Sequence, residues 1–237
     1  VAGPERGERH RARARQCSRT SRASFQGESR HRRSVSSLAS GLGKGASRNR
    51  GSYRPRSGYG RRMPIVPDDK NWTWVLQRPC PDCGFDTTRY PRETVGNEIV
   101  ELTATWRELL ADARARTRPN DHTWSATEYA CHVRDVYRLY LYRLDLMLTQ
   151  TDPQFPNWDQ DATAIEERYD QQDPAEVIEE LAVAADMLSA RFATVGAGDW
   201  ERTGVRSDGA SFTIDTFARY FVHDPVHHLW DVTDFAG

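Results

Sequence analysis

Cysteine is scarce in this sequence. Its four, Cys17, Cys80, Cys83 and Cys131, include one close pair, Cys80 and Cys83, which argues against a secreted, disulfide-stapled scaffold. No apolar run is long enough to cross a bilayer, and the N-terminus lacks the apolar core of a secretory signal. A cytoplasmic protein with no membrane partner is expected. There is no glycine-rich phosphate loop and no strand–helix–strand pattern, so a nucleotide-binding α/β fold is not supported. No stretch alternates convincingly as a strand, Glu201–Arg206 being the one short candidate, and no internal repeat is visible.

The net charge of −1 averages two unlike segments. Residues 1–62 hold 17 Lys and Arg against 3 acidic residues, a net +14, while residues 63–237 hold 16 against 31, a net −15. The first segment is rich in Arg, Ser and Gly, and beyond Val1 its large aliphatic residues are Val35, Leu38 and Leu42. It cannot bury enough apolar surface to offset the entropy of ordering, so disorder is expected. An arginine-rich arm for nucleic-acid phosphates is one reading. A natural start at Met63, with the preceding residues a translation from too far upstream, is the favoured one, and nucleic acid is not an expected partner.

From Met63 the composition is that of a globular domain, and all seven Trp lie there. "WTWVLQRPCPDCGFD" (72–86) is punctuated by Pro and Gly and reads as an extended lead-in. Val95, Ile99, Leu102, Trp106, Leu109 and Leu110 recur at helical spacing over residues 93–116. Ser125 with Glu128 three residues on forms a capping box for a second helix to about Thr149. A crossover containing Pro153 and Pro156 follows, with a short helix expected over Ala162–Tyr169. Asp173–Pro174 opens a third long helix. A Gly-containing connector leads to a last helix from about Ser211–Thr213 to Thr233. The expected fold is all-α: a four-helix bundle over residues 72–236 with a long crossover, preceded by the disordered basic segment.

"YFVHDPVHHLWDV" (220–232) concentrates the chemistry. Residues four apart on a helix are separated by about 40°, so His223 and His227 can present two imidazoles to one ion. His228 lies some 140° from His223 and is the least favoured ligand of the three. His132, on the inward side of the second helix with Tyr129, Val136 and Leu139, can supply a third nitrogen. Three neutral imidazoles suit Zn²⁺ or Ni²⁺ and leave positions for water or substrate. Asp224 stands where zincins carry Glu, which makes a zincin reading poor.

The order of "WSATEYACHVRDV", "FPNWDQDATAIEERY" and "RYFVHDPVHHLWDV" resembles the DinB-like superfamily, near its mycothiol-dependent maleylpyruvate isomerase-like branch. That resemblance implies a bundle with a long crossover and a divalent metal on His132, His223 and His227. It also implies a metal-dependent transferase or isomerase activating a low-molecular-weight thiol such as mycothiol. The alternative is a non-catalytic bundle whose metal is structural and which dimerises or binds a ligand. The partner expected is a small-molecule substrate or thiol, and a homodimer is left open.

Other residues carry weaker signals. Glu128 and Asp231 stand one turn from His132 and His227 and can orient an imidazole, although a capping role and a solvated carboxylate are the simpler readings. Trp158, Asp159 and Asp161 can line the mouth of the site, Trp158 being the more core-like. Arg202 and Arg206 can meet an anion or simply face solvent. "RPCPDCGF" is one zinc knuckle without a second CxxC, so Cys80 and Cys83 form half a site; His122 or a second copy of the chain is a candidate for the rest.

Overall fold

A computed structural model describes residue 65 and residues 71–234. The basic segment 1–62, with its expected disorder, lies outside the described residues. Among the described residues no helix is long and apolar enough to cross a membrane.

The helices begin where side chains satisfy their free N–H groups. Helix α1 (Val95–Leu110) ends before the expected boundary. Beyond it, the Asp112 carboxylate accepts from the Arg114 backbone N–H at 2.7 Å, a local turn that competes with helix. Helix α2 (Ala126–Thr149) opens on the expected capping box: Ser125 Oγ accepts from Glu128 N–H, and Glu128 accepts from Ser125 N–H at 2.9 Å. Strand β1 (Gln154–Phe155) and helix α3 (Gln160–Glu166) make the crossover. Asp159 caps α3, and Arg168, at φ 50°, lies just beyond its end. Helix α4 (Pro174–Phe192) starts on the Asp173 cap with Pro at its first position.

The connector folds as strands β2 (Thr203–Arg206) and β3 (Ser211–Thr213), joined through Gly209 at φ 91°. Here the sequence expectation is corrected, since residues 211–213 pair as a strand before helix α5 (Ile214–Asp234) begins. The sheet order is β1-β2-β3, with β1 parallel and β3 antiparallel to β2. Strands of two and three residues are too short to show an alternating pattern.

The long helices α1, α2, α4 and α5 form a four-helix bundle. Helix α4 packs on α1 and α2, and α5 packs on the same two. Trp106, Leu144, Leu181, Leu188, Phe217 and Phe221 fill the centre. The small sheet closes one end. Arg202 is half-buried, and its guanidinium donates to the carbonyls of Met147 (2.7 Å) and Gln150 (2.8 Å) and so caps the C-terminus of α2.

Gly204 lets β2 press against this end. A Cβ there would meet Met147 Cγ at 2.8 Å and Phe155 Cε1 at 2.9 Å. Overpacking of this kind costs about 1–3 kcal/mol. Gly204→Ala is therefore expected to lower the urea midpoint with an unchanged m-value; an unchanged midpoint would show that Met147 gives way freely.

Candidate metal centre

An open cleft of about 930 Å³ runs between α2, the crossover and α5. Its walls include Trp124, Trp158, Arg143 and Arg206, and its acidic and imidazole groups come chiefly from α5. Two groups of potential metal ligands stand here, each with its donor atoms within 4.8 Å of one another.

The first is His132, Asp224 and His228. His132 Nε2 lies 3.4 Å from Asp224 Oδ1 and 3.5 Å from Oδ2, and His228 Nε2 lies 3.8 Å from Asp224 Oδ1. Two N or O donors, each 2.0–2.2 Å from one tetrahedral ion, stand about 3.4 Å apart, so the donors fit a divalent cation. His132 is fully buried, stacked on Trp158 with ring centroids 5.3 Å apart and planes 16° apart. His228 Nδ1 is 2.8 Å from Asp231 Oδ2, which turns its Nε2 toward Asp224. Burial opposes ionisation of Asp224, but the imidazoles of His132 and His228 outweigh it and hold the carboxyl at about 2.

The second group is Cys80, Cys83, His223 and His227. Cys80 Sγ lies 3.7 Å from His227 Nδ1, whose opposite Nε2 is 3.9 Å from Asp231 Oδ1. Burial, then the neighbouring His227, pulls His223 down to about 4; burial also lowers His227. Both imidazoles are thus neutral near pH 7, the form that ligates metal. Burial, with Cys80 adding to it, pushes the Cys83 thiol up to about 12.

The sequence profile of the DinB superfamily matches residues 99–232, over half of the chain. The chain belongs to the DinB superfamily. No curated protein matches it. Among solved structures it is similar to one described as "YfiT from Bacillus subtilis is a probable metal-dependent hydrolase with an unusual four-helix bundle topology". The TM-score is 0.57 and the identity 18%, over 61% of this chain and 85% of that one. At that identity the likeness shows the fold alone.

In this DinB bundle the three histidines expected together are distributed over two groups. His223 and His227 do face one point, with Cys80 and Cys83, while His132 stands with Asp224 and His228. The pattern of one residue from α2 and two residues four apart on α5 is kept around His132, one position further along α5. His228, least favoured from its angle to His223, is brought in by this shift. The signal that finds it is the buried stripe of α5: Phe217 and Phe221, continued by seven residues, arrive at Asp224 and His228. Trp158 is a half-buried wall of the cleft. Asp159 and Asp161 also line it, as does Arg206, which pairs with Asp208 at 2.8 Å. Glu128 serves as cap and as partner of Arg118, not of His132. Asp231, read as a solvated carboxylate, touches both His227 and His228. His122 lines the cleft instead of completing the cysteine pair, and Cys131 is buried against Gln172.

Proposed function

We propose that His132, Asp224 and His228 hold a divalent ion, zinc or nickel, and that the protein is a metal-dependent enzyme activating a low-molecular-weight thiol toward a small anionic substrate. The observation that carries this reading is two imidazoles and a carboxylate converging beside a cleft of about 930 Å³. Three protein ligands leave a position open, as catalytic zinc sites do. When bound, such an ion lowers the pKa of a coordinated thiol or water so that a nucleophile is available at neutral pH. The cleft is near the upper end of small-molecule sites, which suits a thiol such as mycothiol together with a second substrate. Asp231 orients His228, and Trp158 fixes the plane of His132.

Arg143 supports the anionic substrate. It lines the cleft yet is only 4% exposed. Its Nη2 donates to the neutral carbonyl of Pro156 at 2.8 Å, and its buried Nε has no hydrogen-bond partner. Burial lowers its proton affinity, but a guanidinium stays charged, so a carboxylate or phosphate entering the cleft gains a charge-assisted partner. Arg143→Met, which keeps the apolar stem, is expected to raise KM by about 10- to 100-fold, the equivalent of one charged hydrogen bond, with a smaller change in kcat. An unchanged KM would remove Arg143 from the binding site.

A hydrolytic reading has one observation behind it, the description of YfiT as a probable metal-dependent hydrolase. The test is the full chain loaded with zinc or nickel, offered electrophilic carboxylates and esters with and without mycothiol or another thiol. Thiol-dependent turnover that His132→Ala abolishes is the expected result. Turnover independent of thiol would favour hydrolysis. No turnover with the ion bound would favour the non-catalytic bundle with a structural metal.

A further inference from the structure

The lead-in of residues 72–86 lies outside the stretch that matches the DinB superfamily, yet it is seated on α5 by aromatic and sulfur contacts. Trp72 packs on His223 and His227 with ring centroids 5.1 and 5.0 Å apart, and Phe85 meets His223 edge-on at 5.2 Å. Between these aromatics the chain makes a tight knuckle. Gly84 N–H donates to the Cys80 carbonyl at 3.0 Å, and Cys80 N–H donates to the Phe85 carbonyl at 2.8 Å. Gly84 sits at φ 70°, a conformation that costs glycine least. The turn brings both sulfurs to the same side, facing His223 and His227.

We propose that Cys80, Cys83, His223 and His227 form a second metal site, a closed Cys₂His₂ zinc centre that clamps the lead-in onto α5. Four protein ligands of this kind are the donor set of structural zinc. With Zn–S of 2.3 Å and Zn–N of 2.0–2.1 Å, a sulfur and a nitrogen on one tetrahedral ion stand about 3.6 Å apart; Cys80 Sγ and His227 Nδ1 are 3.7 Å apart. His223 is 4% exposed and its Nε2 has no hydrogen-bond partner, a loss of solvation that a buried imidazole rarely bears without a ligand. Asp231 Oδ1 stands 3.9 Å from the far nitrogen of His227, near it but beyond hydrogen-bond distance. The CPDC knuckle, half a site in sequence, is completed by an HxxxH pair more than 130 residues away. The site's four protein ligands leave no position open, so its role is structural even though His223 and His227 also border the cleft. It stands or falls independently of the reading of the cleft.

The test is cobalt and zinc binding by the full chain, metal alone as the probe. Thiolate–cobalt charge-transfer absorption is expected in wild type and in His132→Ala, and is expected to vanish in the double variant Cys80→Ser, Cys83→Ser. Because that variant can misfold, the wild type carries a second measurement: Cys80 and Cys83 should resist a thiol reagent with zinc bound and react after chelation, while Cys131→Ser behaves as wild type. A cobalt spectrum without thiolate bands would overturn the proposal. So would equal thiol reactivity with and without zinc, or a Cys80–Cys83 disulfide in protein purified under reducing conditions.

Discussion

Asp224→Ala is expected to lose the cleft ion, and with it more than about 100-fold of any metal-dependent rate, since removing even an outer-shell partner typically costs 10- to 100-fold. The carboxylate is the one anionic donor between His132 and His228, at 3.4 and 3.8 Å. Without it, two imidazoles must hold a dication alone. The same variant is expected to keep the cobalt–thiolate absorption of the cysteine group, because Asp224 is not among those four residues. His223→Ala should do the reverse: retain the cleft ion and lose the thiolate spectrum. Elemental analysis of both variants beside wild type separates the two sites. An Asp224→Ala protein that still carries two ions per chain would remove this residue from the centre.

Glu128→Ala is expected to destabilise the fold by about 3–5 kcal/mol, the usual cost of breaking a buried ion pair from one side. Glu128 is 1% exposed, and both its oxygens accept from Arg118, Oε1 at 3.0 Å and Oε2 at 2.9 Å. It also accepts from the N–H and hydroxyl of Ser125, so the variant loses the α2 cap as well. Such a loss is a large part of the 5–15 kcal/mol that domains possess. Burial alone would raise its carboxyl, but Arg118 and Ser125 together hold it below the ordinary value. A carboxyl lowered on folding gives its full stabilisation above its unfolded pKa of about 4.3. That stabilisation is lost as pH falls through the lower folded value. The gap between wild type and Glu128→Ala in urea should therefore be widest near pH 7 and shrink below about pH 4. A gap that stays constant down to pH 3 would mean that the ion pair contributes little.

The helices were legible because their starts are written in short-range chemistry: Ser125 with Glu128, and Asp173 before Pro174. Their ends were less so, since the Asp112 turn and the left-handed Arg168 are local competitors that hydrophobic spacing does not register. The residue types of the site were equally plain, but their division between two groups was not. The pairs 223/227 and 224/228 differ by one residue, about 100° of helix rotation. Which pair faces α2 depends on how Phe217 and Phe221 seat against Tyr140, at 4.5 and 4.8 Å between rings. The placement of Cys80 and Cys83 beside His223 and His227 depends on where the lead-in folds back, a long-range contact with no local signature.

Using two neighbouring pairs of one helix has a mechanical consequence. Both donor sets are carried by the same uninterrupted backbone, Pro225 included, because α5 runs as one helix from Ile214 to Asp234. A small axial twist that brings Asp224 and His228 nearer to His132 must swing His223 and His227 by the same angle relative to the knuckle. With both proposed sites filled, helix α5 would be pinned in phase from two directions, like a shaft held by two keys. With the cleft ion in place, a change of its radius would then fall on His132 of α2 and on the crossover that carries Trp158.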